Sequence, residues 1–268
     1  MGRSPLPDDG RPYRSVSQYN QYNRCPHSFK LARVDKRWKR PAAWLYQGTA
    51  VHAACEARER SGGTMTLEEA QTVFREVYSR DTNAACDVTP NMEWWSASGP
   101  YRGKQDIARR YGLGLDQVER YYRWREAHPE EEIWVAPDGQ LAVELEFDVD
   151  LDGVRVVGYI DAVVLVDGEP RVRDVKTGNN PGDDFQLGTY KAAIEKKYGV
   201  VIPTGDYWMG RPGKPTYPFD LTDWTVAAVA AEFKALDENV RAGRFDPDPE
   251  PDKCRFCDVS YWCRYSMS

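Results

Sequence analysis

The segment that decides the fold is residues 154–176, VRVVGYIDAVVLVDGEPRVRDVK. Its β-branched residues predict a strand from Val154 to Val166 and a second strand from Arg171 to Val175. Between the two strands, Asp167-Gly168 is a typical hairpin turn. The segment therefore predicts two antiparallel strands at the centre of a sheet.

Two carboxylates and a lysine lie on these strands. Asp174 and Lys176 are two residues apart, so their side chains share one face of the strand. Asp161 interrupts an otherwise apolar strand, where a carboxylate needs a partner such as a metal ion. Converging carboxylates bind Mg²⁺ or Mn²⁺, which can activate water against a phosphodiester while a lysine orients that water. The alternative for Asp174 and Lys176 is a surface ion pair.

The rest of the second half also predicts an α/β fold. Leu141 to Val149 alternate as in a strand, and Asp152-Gly153 is a further hairpin turn. Downstream we expect a helix from Asp183 or Asp184 to about Tyr198, a strand from Val200 to Met209, a short strand from Tyr217 to Phe219, and a helix from a Thr222 cap to Gly243.

The first half is mostly helical by the same criteria. Residues 15–60 predict helix with a break near Pro41. Thr66 and Glu69 form a capping box for a helix over Leu67 to Arg80. A third helix spans Leu115 to Glu126, or starts near Gln105 and breaks at Gly112.

Composition indicates an ordered, soluble protein. The chain has 268 residues, of which 41% are hydrophobic. No apolar run approaches the roughly 20 residues of a membrane helix, and the start does not resemble a secretory signal. We therefore expect an intracellular, cytoplasmic protein without a membrane partner. Residues 1–14 read as a disordered tail.

Charge is unevenly distributed. The net charge of −6 argues weakly against a nucleic-acid partner. However, the basic residues between Arg24 and Arg40 interleave with Trp38 and are followed by Trp44 and Tyr46, a mixture that suits a single-stranded nucleic-acid track. A solvated face is the alternative. Trp94-Trp95 fit either the core or stacking on bases.

Three further residues are candidates for the same site. His52 lies one helical turn before Glu56, and imidazole suits Mn²⁺ better than Mg²⁺. Its alternative is a hydrogen-bonded core histidine. Gln186 and Tyr190, one turn apart on the helix after Lys176, can both point at the end of the Asp174 strand. Their alternative is a helix surface with a partly buried tyrosine.

The cysteines form a second constellation. Cys254, Cys257 and Cys263 lie close together near the end of the chain, and Cys25 lies far upstream. Four thiolates can bind zinc or an iron–sulfur cluster. Disulfides are not expected in an intracellular protein. A metal shared with Cys25 would tie the two ends of the fold together.

Together these motifs resemble the RecB-like branch of the PD-(D/E)XK nuclease superfamily, and its iron–sulfur subgroup in particular, which includes CRISPR-adaptation and recombination nucleases. The residues that carry the resemblance are the Ser15 to Pro26 opening with Cys25, Gly48-x₃-His52, Gly158-x₂-Asp161, Asp174-x-Lys176, Gln186-x₃-Tyr190 and the last three cysteines. Ile160 stands where the superfamily's name has proline.

The resemblance implies a restriction-endonuclease-like fold, with a central mixed sheet flanked by helices, a helical N-terminal half and an iron–sulfur-stapled C-terminus. It implies that His52, Asp161, Asp174 and the Val175 carbonyl bind Mg²⁺ or Mn²⁺, and that Lys176 positions the attacking water. Gln186 and Tyr190 would hold DNA or the catalytic face. The four cysteines would bind a structural [4Fe–4S] cluster.

The domain prediction is one RecB-like nuclease domain over residues 15–268. Within it, residues 62–140 would be a helical insertion and residues 244–268 the cysteine segment. No phosphate-binding motor motif occurs, so a helicase, or a recombination or adaptation partner, would be a separate subunit. Homo-oligomerisation is left open.

The predicted function is a metal-dependent DNA exonuclease acting on single-stranded ends, in DNA repair or recombination. One alternative is an inactive nucleic-acid-binding or scaffold subunit with a zinc staple. The other is an endonuclease or resolvase that uses the same site.

Overall fold

The structure is a computed structural model that describes residues 10–268. The α-helices of this part of the chain are α1 (Val16–Arg24), α2 (Pro26–Phe29), α3 (Ala43–Arg60), α4 (Leu67–Val88), α5 (Gly103–Ala127), α6 (Asp184–Tyr198), α7 (Val226–Arg241) and α8 (Pro251–Arg255). The strands are β1 (Val143–Leu151), β2 (Val154–Val166), β3 (Glu169–Lys176), β4 (Thr204–Met209), β5 (Lys214–Pro215) and β6 (Phe219–Asp220).

The strands form one mixed sheet in the order β1-β2-β3-β4-β5, with β6 paired to β4. β1, β2 and β3 are an antiparallel meander, and β4 returns parallel to β3 after α6. The first turn of the meander uses Asp152 and Gly153, whose positive φ angles of 52° and 83° match the right-handed twist of the strands.

Helices cover both faces of the sheet. Val172 packs in one apolar core with residues of α6 and α7, whereas Val175 packs in a second core with residues of α3, α4 and α5. Because the two valines are an odd number of positions apart on β3, they point to opposite faces. The α/β fold with a mixed sheet flanked by helices is thus confirmed.

In the helical half, α4 and α5 are both longer than predicted. The capping box of Thr66 and Glu69 is present, but α4 continues to Val88. Helix α5 runs unbroken from Gly103 to Ala127, so the predicted break at Gly112 is wrong. A glycine inside a helix costs about 1 kcal/mol, which tertiary packing can offset. At Gly114 the packing requires glycine, because a Cβ there would lie 2.2 Å from the Phe74 ring.

A buried ion network fixes the second face of β3. Arg173 is 1% exposed and donates to Asp206 at 2.7 Å and to Glu131 at 2.5 Å. These two carboxylates raise the pKa of Arg173 although its burial alone would lower it. The network joins β3 to β4 and to the loop after α5.

Other boundaries are corrected locally. Thr225, rather than Thr222, caps α7 by accepting from the Ala228 amide at 3.1 Å. The short fifth strand predicted at residues 217–219 is replaced by two two-residue strands, β5 and β6. Of the predicted tail, residues 1–9 lie outside the described residues, and the division into a nuclease domain, insertion and cysteine segment stays a prediction.

Among residues 10–268, no helix combines the length and apolar character that a membrane span requires.

Candidate active site

Three acidic residues occupy consecutive positions across the antiparallel meander. In the β1–β2 hairpin, Leu151 pairs with Val154 next to the turn. Counting away from the turn along both strands brings Glu144 opposite Asp161. The β2–β3 pairing, which runs from Val166–Glu169 to Ala162–Arg173, has Asp161 and Asp174 as its next positions. All three side chains are buried at this end of the sheet.

Helix α3 adds an imidazole to this acidic end of the sheet. Nδ1 of His52 lies 3.3 Å from Oδ2 of Asp161 and 3.8 Å from Oε1 of Glu144. The donor atoms of these three residues all lie within 4.8 Å of one another. Oδ2 of Asp161 also accepts a hydrogen bond from the Val175 amide at 2.9 Å, which ties it to β3.

Asp174 lies in a separate hydrogen-bonded group with Lys176 and α6. Its Oδ1 accepts from Nε2 of Gln186 at 2.5 Å and from the Tyr190 hydroxyl at 3.1 Å. Oε1 of Gln186 accepts from Nζ of Lys176 at 2.8 Å, so one amide orients both the acid and the lysine. Gln186 and Tyr190 therefore both donate to Asp174 from α6, and Tyr190 is buried.

Burial and charge set unequal pKa values for the two aspartates. Burial and the neighbouring Asp161 carboxylate raise the pKa of Asp174 to about 6, despite the opposing influence of Lys176. Burial also acts to raise the pKa of Asp161, but His52 and the Val175 amide more than compensate, and the pKa is lowered. The pKa of His52 is raised well above its usual value, because the two carboxylates outweigh its burial.

The donor set fits a divalent cation. A protonated His52 between Asp161 and Glu144 places positive charge where carboxylates converge, and a cation could replace that proton. Oδ2 of Asp174 is buried and is paired with the ammonium of Lys176, whose Nζ lies 2.9 Å away. One imidazole together with several carboxylate oxygens is a ligand set that suits Mn²⁺. The carboxylate oxygens alone also suit Mg²⁺.

Glu144 is the acidic neighbour that motif reading missed. The sequence does contain a signal for its position. A two-residue Asp152-Gly153 turn fixes the hairpin register and thereby brings Glu144 opposite Asp161. Glu144 also has a φ of 45°, an uncommon conformation for a residue that is not glycine. Such local distortion beside a charged cluster is often found at functional sites.

The four cysteines of interest meet at a second location. Cys25, Cys254, Cys257 and Cys263 line one cavity together with side chains from α2 and the chain end. Among the described residues, the His52, Glu144 and Asp161 group is the one set of three potential ligands within 4.8 Å of one another. Cys55 and Cys86 do not line the cavity.

Comparison with known proteins agrees with this geometry. The sequence profile of the PD-(D/E)XK nuclease superfamily matches residues 13–264. The "Gene 69 protein" of Mycobacterium phage D29 is 58% identical over 260 residues, which cover 94% of this chain and 96% of that protein. The "Gene 69 protein" of Mycobacterium phage L5 is 52% identical over 279 aligned positions, with the same coverage of 94% and 96%.

A solved structure titled "Crystal structure of SSO0001" matches with a TM-score of 0.35 and 16% identity, over 60% of this chain and 79% of that chain. This similarity is too weak to carry an argument. The superfamily profile, by contrast, spans nearly the whole sequence, including every residue of the acidic cluster. The chain belongs to the PD-(D/E)XK nuclease superfamily.

Proposed function

We propose that the protein is a RecB-like, metal-dependent deoxyribonuclease that degrades DNA from single-stranded ends. The observation that carries the proposal is the contact between Lys176, Gln186 and Asp174 beside the His52, Glu144 and Asp161 group. A lysine held next to converging carboxylates is what phosphodiester hydrolysis requires at neutral pH, since both nucleophile and leaving group need charge stabilisation.

His52, Asp161 and Asp174 are the residues we propose to hold the cation, with Glu144 and the Val175 carbonyl as further oxygen donors. The bound cation would supply Lewis acidity toward the phosphate and lower the pKa of a bound water. Gln186 keeps the Lys176 ammonium directed at the acidic cluster, where it can orient the attacking water or neutralise charge on the phosphate. Tyr190 and Gln186 hold Asp174 in place.

The inactive-scaffold alternative is disfavoured because the acids, the histidine and the lysine are all present and clustered. An endonuclease with the same site is distinguished by its products. End-labelled linear and circular DNA, each single- and double-stranded, should be incubated with Mn²⁺, Mg²⁺ or EDTA. We expect mono- or short oligonucleotides from linear single strands in the presence of metal, and intact circles.

Variants make this experiment decisive. Lys176→Met should lose cleavage, whereas Lys234→Met, which removes an exposed surface ion pair with Asp152, should retain it. Cleaved circles would establish an endonuclease instead. Absence of cleavage of every substrate by wild-type protein with either metal would refute the nuclease proposal.

We further propose that Cys25, Cys254, Cys257 and Cys263 bind a [4Fe–4S] cluster. Their shared cavity supports a common ligand. The choice of a cluster over zinc rests on the resemblance of the cysteine motif to the iron–sulfur subgroup.

The cluster proposal has its own test. Anaerobically purified protein should be brown and contain iron and acid-labile sulfide. Cys257→Ser should lose the iron, and Cys86→Ser should keep it because Cys86 lies outside the cavity. Stoichiometric zinc without iron would refute the cluster and leave the nuclease proposal standing. A motor or recombination partner would be a separate protein, and co-purification with this chain would test for it.

A further inference from the structure

An unusual aromatic surface lies where the segment before α3, the loop before α5 and the chain end meet. Trp38, Trp94, Tyr261 and Trp262 form this surface, which we name the aromatic platform. Its ring centroids are 5.3 to 6.5 Å apart along the Trp38–Trp94, Trp38–Tyr261, Trp94–Tyr261 and Tyr261–Trp262 contacts. Trp94 is 52% exposed and Tyr261 58% exposed, so much of each side chain is open to solvent.

The platform is held in place by hydrogen bonds from two of its indole N–H groups. Nε1 of Trp38 donates to Thr89 at 3.2 Å, and Nε1 of Trp262 donates to the Trp38 carbonyl at 3.2 Å. The neighbouring Trp95 is buried instead and donates to the Thr89 carbonyl at 3.0 Å. The Trp94-Trp95 pair is thus divided, with one ring in the core and the other at the surface.

Cationic side chains border the platform in spite of the protein's net negative charge. The guanidinium of Arg37 lies 5.3 Å from the centroid of the Trp262 ring. Arg102 and Lys104, both exposed, line an open recess in the loop that carries Trp94, together with Glu93. Exposed aromatic faces interspersed with arginine and lysine match a polyanion that also carries flat rings.

Helix α3 links the platform region to the acidic cluster. Trp44 lies eight residues before His52 on this helix, which corresponds to about 12 Å along its axis. Trp44 contacts Phe256 at a centroid distance of 6.2 Å, and Arg110 lies 5.8 Å from the Trp44 ring. Phe256 is 45% exposed, so part of a second aromatic and cationic group, centred on Trp44 of the helix that carries His52, is open to solvent.

We propose that the aromatic platform binds the unpaired bases of single-stranded DNA whose phosphates enter the acidic site. This inference rests on the proposed nuclease function and specifies where the substrate strand lies. Stacking is available to every base, so the platform binds without regard to sequence. Duplex DNA keeps its bases stacked inside the helix and gains nothing from exposed indole and phenol rings.

Binding to a fluorescein-labelled 20-mer of thymidylate, measured by anisotropy in EDTA, tests the platform without cleavage. Trp94→Ala and Tyr261→Ala should each weaken binding about 5- to 150-fold, the range for loss of one stacked base. Tyr217→Ala is the matched control, because Tyr217 is 93% exposed and lies outside the platform. Trp94→Phe should retain most of the affinity. Thermal unfolding checks that each variant is folded.

Two results of the binding experiment would overturn the proposal. One is an affinity of Trp94→Ala and Tyr261→Ala for the 20-mer within twofold of wild type, which would indicate that the platform contacts a protein partner and not DNA. The other is an equal loss of affinity for a 20-base-pair duplex, which would exclude stacking on unpaired bases.

Cleavage kinetics separate this proposal from the nuclease proposal. With Mn²⁺, Trp94→Ala should raise KM for the 20-mer at unchanged kcat. Its activity on bis(p-nitrophenyl) phosphate, which has neither nucleobases nor a polynucleotide backbone, should equal that of wild type. Wild-type protein that binds through Trp94 but cleaves nothing would refute the nuclease and keep the platform. Normal KM for the 20-mer in Trp94→Ala would refute the platform and keep the nuclease.

Discussion

Replacing Asp174 by asparagine should stabilise the metal-free protein while abolishing cleavage. Burial and Asp161 raise the pKa of Asp174 from 3.8 to about 6. A carboxyl group whose pKa is higher in the folded than in the unfolded state stabilises the fold below the unfolded value, and this contribution is lost as pH rises through the folded value. At pH 7.5 the ionised Asp174 therefore opposes folding.

The magnitude follows from the size of the shift. A difference of about 2 pKa units corresponds to about 3 kcal/mol. Asparagine keeps an oxygen that can accept from Gln186 and Tyr190 but loses the ion pair with Lys176, so we expect a net gain of about 1 to 3 kcal/mol. For a chain of this size that is a rise in Tm of several degrees.

Asp161→Asn is the matched variant with the opposite sign. The pKa of Asp161 is lowered by His52 and the Val175 amide, so its charge stabilises the fold above pH 4 and the contribution is lost as pH falls through the folded value. In EDTA at pH 7.5, Asp161→Asn should therefore lower Tm and Asp174→Asn raise it. At pH 5 the advantage of Asp174→Asn should shrink as the wild-type carboxyl becomes protonated.

Differential scanning fluorimetry at pH 5.0 and 7.5, with and without Mn²⁺, measures these shifts. Wild type should be stabilised by Mn²⁺ more strongly at pH 7.5 than at pH 5.0, because the cation needs the ionised Asp174. Asp174→Asn should respond weakly to the metal at both values. A lower Tm for Asp174→Asn than for wild type in EDTA at pH 7.5 would refute the reasoning.

Three other perturbations isolate single contributions. Lys176→Met should reduce cleavage about 10²- to 10⁴-fold while calorimetry shows Mn²⁺ bound at least as tightly, since a cation is removed beside the acids. Glu144→Gln should weaken Mn²⁺ binding by about tenfold or more in the same titration, and unchanged affinity would exclude it from the metal site. Arg173→Met should cost about 3–5 kcal/mol in urea denaturation by leaving Glu131 and Asp206 unpaired; a loss below 1 kcal/mol would contradict its role.

The local signals in the sequence were sufficient for the antiparallel meander. Strand β2 was predicted at the bounds that the structure has, because its β-branched residues end at two Asp-Gly turns. The hairpin register could also be counted from the turn, and this would have brought Glu144 beside Asp161. Motif matching missed Glu144 because a motif describes one strand at a time, whereas the acidic cluster forms across neighbouring strands.

Long-range contacts explain what the sequence did not reveal. The sequence around Arg173 contains no signal for its ion pairs, because its partners Glu131 and Asp206 lie 42 and 33 positions away. The packing at Gly114 of α5 likewise involves a remote residue, Phe74 of α4. Propensity describes neighbours along the chain and cannot report which remote side chain will cover a glycine or pair an arginine.

The helical half contacts the end of β3 as well as packing against the sheet. Nε2 of Gln117, on α5, donates to the Thr177 carbonyl at 2.9 Å, which fixes the chain directly after Lys176. Gln47, on α3, donates to Gln117 at 2.6 Å and accepts from Arg110 at 3.0 Å. Since a partly buried carbonyl without a donor is costly, the Gln117 amide stabilises the chain at this point. The sheet positions the acids and Lys176, and α3 and α5 contact the chain directly after this lysine.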